Sequence, residues 1–418
     1  MPDKAAKIII MKIGVDATCW GNKRGFGRFT RELLEAILEI DETNEYLFFT
    51  NADTEDVDAI PSKVKKIVVE TGVSAIKAAS SEGRRSVKDL WAMSRAVYRH
   101  QTDVFFFPAV YSYFPIFNRT KILLTIHDVI ADHHPELVFP NKKLHFFWKL
   151  KQNAAIRQSD LILTVSEYSK QQIGEFFNLP EARLRVINEA ARPIFRRLES
   201  DDEIEKMLAR YGLKRGEKFL LYVGGISPHK NLNTLVTAFE EISRNQPHVK
   251  LVLIGDYKDD PFLSAYPALK KQIAEANLEN KVIFTGYVSD EDLVRFYNAC
   301  ALLVFPSLEE GFGLPAMEAM ACGTAVAASN CGSLPEVLGN AGRYFDPHDT
   351  QNMARTIEET LSDDALRNSM KEIGFFRAEQ FQWKKAAEDT LVIFNELAGQ
   401  PSKKKFISPE VFIDSKSL

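Results

Sequence analysis

Short runs of β-branched and aromatic residues alternate with amphipathic stretches along most of the chain, and this alternation predicts its fold. The runs are largely apolar along their length, which is typical of strands buried on both faces of a parallel sheet. The predicted strands of the first half are Lys12–Ala17, Tyr46–Thr50, Lys66–Val69, Val104–Phe107, Ile122–Ile126, Leu161–Val165 and Leu184–Ile187. Those of the second half are Phe219–Val223, Lys250–Ile254, Val282–Phe284, Leu302–Phe305, Ala325–Ala328 and Arg343–Phe345.

Two such series predict an α/β protein with two doubly wound, Rossmann-like parallel-sheet domains. The chain has 418 residues, more than one core of ordinary size holds, which also favours two domains. We divide it into a first domain at 1–195, a second at 196–380, a helical segment at 381–399 and a tail at 400–418. The boundary is placed in Arg192–Glu203, where the strand pattern gives way to a polar run. Apolar periodicity over Phe376–Leu397 predicts one or two helices.

The composition is that of a globular protein, with 45% hydrophobic and 26% charged residues, and the net charge of −4 gives no case for a nucleic-acid partner. The charge is uneven, because residues 1–198 carry 29 Lys/Arg against 24 Asp/Glu while the remainder carries 24 against 33. Basic helical stretches at Lys77–Arg99 and Lys142–Arg157 fit peripheral contact with an anionic membrane. An ordinary solvated surface explains an imbalance of this size equally well.

The cysteines and the apolar runs indicate a compartment. Cys300 and Cys322 lie in apolar runs, and no cysteine pair has Cys-x-x-Cys spacing, so core thiols in a reducing compartment are predicted. No stretch approaches about 18 consecutive apolar residues, and no membrane span is expected. Together these features predict a cytoplasmic protein, which the basic stretches would bring to the inner membrane.

Glycine-rich motifs follow two predicted strands, at the sheet edge where ligands of open α/β sheets bind. Gly21–Gly27 precedes a predicted helix at 29–38 and is interpreted as a loop that brings backbone N–H groups to a phosphate or a sugar. A flexible loop without a ligand is an equally good interpretation. Gly224–Asn231 has similar form, and its Lys230 stands just before a helix predicted at 232–242. There the ammonium can neutralise a diphosphate, an interpretation that we favour over an ordinary surface lysine.

Histidines and aspartates supply weaker signals. His127 ends a predicted strand as either a substrate-facing or a core histidine, and Asp128 would orient the ring or cap a loop. His133 and His134 lack a His-x-x-x-His spacing, so no metal site is predicted there. The Asp-x-Asp at Asp56–Asp58, a pattern that some sugar transferases use to hold a metal and a diphosphate, favours a solvated loop because no strong strand precedes it.

The strongest signal is the passage Glu310–Glu318, with a carboxylate at each end of a glycine-rich turn. A buried strand precedes the turn, and Pro315 suits the first turn of a helix. The helix N-terminus would offer unpaired N–H groups and a partial positive charge to an anion. Because the two carboxylates can accept hydrogen bonds from sugar hydroxyls, the passage predicts a nucleotide-sugar site.

This passage resembles the signature of the family 4 retaining glycosyltransferases, which have the GT-B fold. Further segments that stand where the family pattern places them are Gly25–Arg28, Thr125–Asp128, Thr164–Ser166, Tyr222–Gly224, Lys230-Asn231 and Phe284–Gly286. The resemblance covers the chain to about residue 399. It implies two Rossmann-like domains that face a central cleft, with the acceptor on the first, the nucleotide-sugar donor on the second and a final helix that crosses back.

The resemblance also implies roles for individual residues. Catalysis falls to His127, beside the donor sugar, and to Glu310, which contacts its hydroxyls. The implied donor-binding residues are Gly25, Gly27, Gly224, Lys230, Phe312, Gly313, Leu314 and Glu318, the last of them at the ribose. Arg28 and Asp128 are assigned to the acceptor side. The family usually has arginine where this chain has Gly225, and often another at His229, so one cationic contact to the diphosphate is either missing or supplied elsewhere, with Arg24 and Arg28 as candidates.

The expected function is metal-independent, retaining transfer of a hexose from a GDP- or UDP-linked sugar to a glycan or lipid-linked acceptor, without a cofactor. Mannose is the first expectation for the sugar, and bacterial surface polysaccharide, such as lipopolysaccharide, is the expected product. Two alternatives stay open. The first is a UDP-sugar epimerase or hydrolase, since that chemistry also occurs on this fold. The second is a non-catalytic subunit that binds a nucleotide-sugar, because Gly225 stands where the family usually has arginine.

Overall fold

A computed structural model describes residues 10–22, 25–52, 54, 57–72, 86–199, 202–257, 264–401, 406 and 408. The strands of the first half are β1 (Lys12–Asp16), β2 (Glu45–Asn51), β3 (Lys65–Val69), β4 (Val104–Phe107), β5 (Lys121–Thr125), β6 (Leu161–Thr164) and β7 (Leu184–Val186). Those of the second half are β8 (Phe219–Val223), β9 (Lys250–Ile254), β10 (Val282–Gly286), β11 (Leu302–Phe305), β12 (Val326–Ser329) and β13 (Gly342–Phe345).

The helices connect successive strands. In the first half they are α1 (Gly25–Ile40), α2 (Val87–His100), α3 (Ile130–His133), α4 (Pro135–Val138), α5 (Lys142–Gln158) and α6 (Glu167–Phe177). In the second half they are α7 (Glu203–Arg210), α8 (Leu232–Asn245), α9 (Tyr266–Glu275), α10 (Asp290–Ala299), α11 (Leu314–Ala321), α12 (Leu334–Leu338), α13 (Thr350–Ser362), α14 (Asp364–Glu379) and α15 (Trp383–Leu397).

Two parallel sheets form the centres of two α/β units. The first has the order β3-β2-β1-β4-β5-β6-β7 and the second the order β10-β9-β8-β11-β12-β13. Within both, the strand pairs of the described residues are parallel, for example Ile13 with Val104 and Leu303 with Val326. The strand order reverses beside β1 and beside β8, which opens a crevice at the carboxyl edge of each sheet. The predicted doubly wound α/β class is therefore confirmed.

The strand predictions are right and the prediction for the first glycine motif is wrong in part. All predicted strands are present with small shifts at their ends, because continuously apolar runs between turn residues leave little freedom in placing a buried strand. Gly25–Gly27, predicted as a loop, forms the first turn of α1 instead. The periodicity over Phe376–Leu397 corresponds to the end of α14 and the whole of α15. Arg24, Asp56 and the start of Lys77–Arg99 lie outside the described residues.

Helices cover both faces of the first sheet. Met93 of α2, Ala155 and Ile156 of α5 and Ile173 of α6 share one apolar cluster on one face. The other face carries α1 together with α15, the last helix, whose Phe394 ring lies 5.8 Å from that of Phe106 in β4. The chain thus returns to its first domain after completing the second, and α15 ties the two units together.

Candidate active site

Glu310 and Lys230 meet at the carboxyl edge of the second sheet. Glu310 follows β11, and Lys230 lies in a 3₁₀ turn, Pro228–Lys230, between β8 and α8. The Lys230 Nζ lies 2.6 Å from Glu310 Oε1, and both side chains are largely buried. Two of the predicted donor residues therefore hold each other as an ion pair.

An anion cradle stands directly after Glu310. Gly313 is the N-cap residue of α11, and its left-handed φ of 96° is a conformation that residues with a Cβ rarely adopt. Among the described residues no acceptor faces the backbone N–H groups of Phe312, Gly313 and Leu314. Because buried N–H groups are normally paired and a helix N-terminus is electropositive, these three groups form a receptive site for an anion.

Glu318 lies in α11, one turn beyond the cradle, and its contacts join the two domains. Its Oε1 is 2.5 Å from the Arg28 Nη1 of α1, and its Oε2 accepts a hydrogen bond of 3.1 Å from the Tyr297 hydroxyl. Burial raises the pKa of Glu318 to about 7, against the opposing effect of the Arg28 guanidinium. Arg28, which was assigned to the acceptor side, thus pairs with Glu318, which was assigned to the donor side. A contact of Arg28 with the acceptor stays a prediction.

A second arginine, missed in the sequence, extends this pairing across the domain linker. Arg28 Nη2 lies 2.5 Å from Asp290 Oδ1 at the start of α10, and Asp290 also binds the Arg192 guanidinium. Arg192 Nε in turn lies 2.7 Å from Glu32 Oε1 in α1. The alternating charges form one chain from the first domain through the linker to the second. Arg192 stood in the sequence only as a mark of the boundary, because its partners are distant along the chain.

His127 ends in the cleft with an unpartnered ring. Among the described residues neither ring nitrogen has a hydrogen-bond partner, and both are shielded from solvent. The Phe29 ring of α1 stands edge-on to the imidazole at 4.9 Å between centroids. Burial lowers the pKa of His127 to about 4, so the ring is neutral at physiological pH and can either donate or accept a hydrogen bond from a ligand.

Asp128 caps a loop, which is one of the two roles that the sequence left open for it. Its carboxylate accepts a hydrogen bond of 3.1 Å from the Ile130 N–H and so caps the loop that leads into α3. It makes no bond to the imidazole of His127 within the described residues, so the ring-orienting alternative is wrong. Burial raises the pKa of Asp128 to about 6, with the negative charges of Glu309 and Glu310 adding to the effect.

The loop of Gly311 presses against the first domain. A Cβ on Gly311 would lie 2.7 Å from the backbone oxygen of His127, closer than real Cβ atoms approach. The Gly311 carbonyl accepts hydrogen bonds of 2.6 and 3.1 Å from the hydroxyls of Ser166 and Ser169 at the start of α6. Glycine is therefore required where the two domains come into backbone contact.

Two further glutamates fasten the same contact and were missed. Glu309 is buried and lies 3.2 Å from His133 Nδ1 and 3.2 Å from the Tyr168 hydroxyl. Glu336 accepts hydrogen bonds of 2.9 Å from the backbone N–H groups of Glu167 and Tyr168, which caps α6 from the other domain. The only signal for Glu309 in the sequence is its place next to Glu310, whereas nothing marked Glu336.

The remaining predicted donor residues are three glycines. Gly224 directly follows β8, and Gly27 is buried in the first turn of α1, whereas Gly25 is exposed at its start. His229 does not replace the missing arginine, because burial and the neighbouring Lys230 lower its pKa to about 3 and keep it neutral. Lys230 is thus the charged group of this turn, and its ion pair with Glu310 joins it to the segment that leads into the cradle.

The geometry agrees with similarities to known proteins. A family model described as "Glycosyl transferases group 1" matches residues 203–375, and one described as "Glycosyltransferase Family 4" matches residues 24–190. The chain is 31% identical over 284 residues to the serotype-specific mannosyltransferase WbdA of Escherichia coli, across 66% of this chain and 34% of WbdA. It therefore spans about a third of the length of that relative.

A shorter relative is covered more fully. The chain is 32% identical over 274 residues to the O-antigen chain mannosyltransferase B of Escherichia coli, across 65% of this chain and 69% of that protein. The structure superposes on Anabaena HepE, solved with UDP and glucose, with a TM-score of 0.70 and 18% identity over 92% of this chain and 100% of HepE. The likeness to HepE shows the GT-B fold.

Proposed function

Because the chain belongs to the group 1 glycosyl transferases of glycosyltransferase family 4, we propose that it transfers mannose from a nucleotide-sugar donor, with GDP-mannose first, to a growing bacterial surface polysaccharide. Retention of the anomeric configuration and independence from metal are part of the proposal. The acceptor is a glycan or a lipid-linked glycan. The names of the mannosyltransferase relatives support the sugar and the product, and the UDP and glucose in HepE support a nucleotide-sugar.

One observation carries this proposal: among the described residues, three backbone N–H groups at the start of α11 have no acceptor, and they lie in the segment between Glu310, which pairs with Lys230, and Glu318. The N–H groups of Phe312, Gly313 and Leu314 would take the diphosphate. Glu310 and Glu318 would accept hydrogen bonds from hydroxyls of the sugar and of the ribose. A diphosphate flanked by two polyhydroxylated rings matches these N–H groups and carboxylates, whereas a plain phosphate ester would leave carboxylates without a hydroxyl partner.

The chemical step separates the sugar from a diphosphate that gains negative charge. Preorganised N–H groups and the Lys230 ammonium stabilise that charge without first having to reorient, which is the largest source of catalysis in sites of this kind. Glu310 holds Lys230 at 2.6 Å before the donor arrives and so fixes its position. With the donor bound, Lys230 would donate to the phosphate from this fixed position, and the second oxygen of Glu310 would accept hydrogen bonds from the sugar hydroxyls.

His127 and the first domain act on the other side of the sugar. The neutral imidazole places lone-pair density beside an anomeric carbon that becomes positive as the bond breaks. The two domains are held together by the hydrogen bonds of Ser166 and Ser169 to the Gly311 carbonyl and by those of Glu336 to the start of α6. This contact would keep water from the donor while the acceptor hydroxyl attacks. Attack on the face that the diphosphate leaves gives retention.

The test combines binding with turnover. We expect GDP and GDP-mannose to raise the unfolding temperature more than UDP and UDP-glucose, since a ligand that binds the folded state stabilises it. We expect GDP-mannose to glycosylate an octyl mannoside, with GDP as the second product. Release of free mannose as fast as transfer, or interconversion of UDP-sugars, would overturn the proposal in favour of a hydrolase or an epimerase. Nucleotide binding without turnover of any donor would indicate the non-catalytic subunit.

We also propose that the protein works at the cytoplasmic face of the inner membrane, through a surface formed by α2 and α5. Both helices bury their apolar sides on the same face of the first sheet, so their exposed sides point away from it together. On α5 the exposed stripe is Phe146, Phe147 and Leu150, in a helix that contains five Lys/Arg and no acidic residue. No described helix is long and apolar enough to cross a bilayer.

The exposed stripe of α2 has the same character. Trp91 and Tyr98 are more than half exposed, and the Arg95 guanidinium lies 5.8 Å from the centre of the Trp91 ring. Aromatic rings and basic side chains are the residues that favour the interface of a bilayer and its anionic headgroups. The stripe on α5 would enter the acyl boundary, and the cations of both helices would meet the headgroups.

Replacing Phe146, Phe147 and Leu150 together by serine should lower binding to vesicles with 30% phosphatidylglycerol by at least about tenfold, since each buried side chain of this kind contributes roughly 1.5–3 kcal/mol. Vesicle flotation at 50 and 300 mM salt measures this. Phe376→Ser is the matched control, because Phe376 is 62% exposed on α14 of the other domain. Equal flotation of the triple variant and the wild type, or binding insensitive to salt, would contradict the proposed surface.

A further inference from the structure

Glu189 is a buried carboxyl that the proposed function does not use. It follows β7 at the carboxyl edge of the first sheet, in the linker between the domains. Its neighbours are fixed there, since Ile187 N–H donates to the Thr164 carbonyl at 2.8 Å and the Asn188 amide to the Val165 carbonyl at 3.0 Å. The linker thus places Glu189 where the two sheet edges face each other.

The surroundings of Glu189 contain negative charge and no partner. The side chain is only 5% exposed, and no hydrogen bond or ion pair joins its carboxyl to any residue that the structure describes. The charged groups that act on it are the carboxylates of Glu318, Glu310 and Asp128. Glu310 and Glu318 each have a cation of their own, whereas Glu189 has none.

A carboxylate in such a place is unfavourable in its ionised form. Burial without a cation or a hydrogen-bond donor costs several kcal/mol, and a group so placed takes up a proton instead. Burial, reinforced by the three carboxylates, raises the pKa of Glu189 to about 8. The group is therefore a neutral acid at physiological pH, with one O–H that has no acceptor among the residues of the described ranges.

On the premise of the proposed function, the cleft receives a diphosphate at a site that lacks the arginine usual at Gly225. A phosphate oxygen is a strong acceptor, and a neutral acid can donate to it where a carboxylate would repel it. Glu310 and Glu318 cannot do this while they accept hydrogen bonds from hydroxyls. We propose that Glu189 binds the donor by donating the proton of its un-ionised carboxyl to an oxygen of the diphosphate.

The proposal predicts how GDP affinity changes with pH. Above about pH 8 Glu189 loses its proton, so the wild type should lose up to tenfold in GDP affinity for each further pH unit. Glu189→Gln keeps a donor and cannot ionise, so it should bind within about threefold of the wild type at pH 6.5 and without this loss up to pH 9.5. The charges of Glu310, Glu318 and Asp128 are common to both proteins and largely cancel in the ratio of affinities.

Glu189→Met separates a hydrogen bond from simple charge repulsion. Methionine removes both the charge and the donor, so its GDP affinity should be about tenfold below that of Glu189→Gln at pH 6.5, the effect of one charge-assisted hydrogen bond. Equal affinities of the two variants would overturn the hydrogen bond. The same difference measured with guanosine in place of GDP would overturn the assignment to the diphosphate.

Unfolding temperatures without ligand report the proton independently. Glu189 binds its proton more tightly in the folded than in the unfolded protein, so the wild type should lose stability relative to Glu189→Gln as pH rises from about 4.5 to about 8. The difference between the two unfolding temperatures should therefore be near zero at pH 4.5 and largest above pH 8. A constant difference would overturn the inference. A wild type that binds neither GDP nor UDP at any pH would overturn the proposed function and with it the hydrogen bond to the diphosphate, whereas GDP binding that responds to pH equally in the wild type and Glu189→Gln would overturn the inference alone.

Discussion

Replacing Lys230 by methionine is expected to lower kcat/KM for transfer by about 10²–10³-fold, the effect of removing one preorganised group that stabilises the leaving charge. The expectation is at the upper end because the substitution acts twice. It removes the cation that pairs with the segment leading into the cradle of Phe312–Leu314, and it leaves the Glu310 carboxylate, 8% exposed, without its ion pair beside an anionic substrate. Initial rates at several donor concentrations measure the effect.

Lys218→Met is the matched control for this variant. Lys218 is also a lysine of the second domain in an ion pair, with its Nζ 3.4 Å from Asp364 Oδ1, but the pair is exposed to solvent and far from the cradle in the fold. Exposed pairs of this kind contribute little, so activity should stay within about twofold. Full activity of Lys230→Met would mean that the helix N-terminus stabilises the diphosphate without help.

The two sheets could be predicted because their strands are buried on both faces. A run such as Leu302–Phe305 is apolar at every position, so neither its existence nor its direction depends on distant partners. The start of α1 was placed too late, at residue 29, because Gly25 and Gly27 are poor helix formers and favour a turn. Tertiary contacts override that preference, since Phe26 packs on Tyr111 at 5.2 Å between ring centres.

The groups of the site that lie on one domain could also be predicted. The order of strand, glycine turn and helix fixed the positions of Glu310, Gly313 and Glu318 relative to one another before any contact was known. Contacts between the domains could not be predicted in this way. The pairing of Arg28 with Glu318 joins residues 290 positions apart, and it depends on how two separately folded units meet.

The same limit explains why Glu189 has no signal in the sequence and why Arg192 marks only the boundary between the domains. A linker has no periodicity that shows which side chains turn inward, and a buried glutamate has the same letter as a solvated one. Burial and the neighbouring carboxylates give Glu189 its chemistry, and neither property is local in the sequence. Chains of this fold therefore reveal their donor loops in the sequence and their interdomain residues only in the structure.

Gly311→Ala should lower kcat for transfer by about 10²-fold, because a displacement of about 1 Å at a reacting centre has an effect of that size. The added Cβ would lie 2.7 Å from the His127 backbone oxygen and 3.1 Å from Asp128 Cβ. On its other side the loop is held by the hydroxyls of Ser166 and Ser169, so it cannot move without breaking a contact. The domains must therefore separate next to Glu310, where the proposed function places the sugar.

Binding and turnover should respond differently to this variant. The diphosphate cradle lies within the second domain, so GDP affinity should fall much less than kcat, whereas a general loss of folding would lower both together with the unfolding temperature. Gly72→Ala is the control, since its Cβ would meet only the Asp89 carboxylate at an ordinary 3.8 Å. If Gly311→Ala keeps full activity, then catalysis takes place in a more open cleft, and the contacts of Gly311 with His127 and the two serines belong to a resting state from which the donor releases the enzyme.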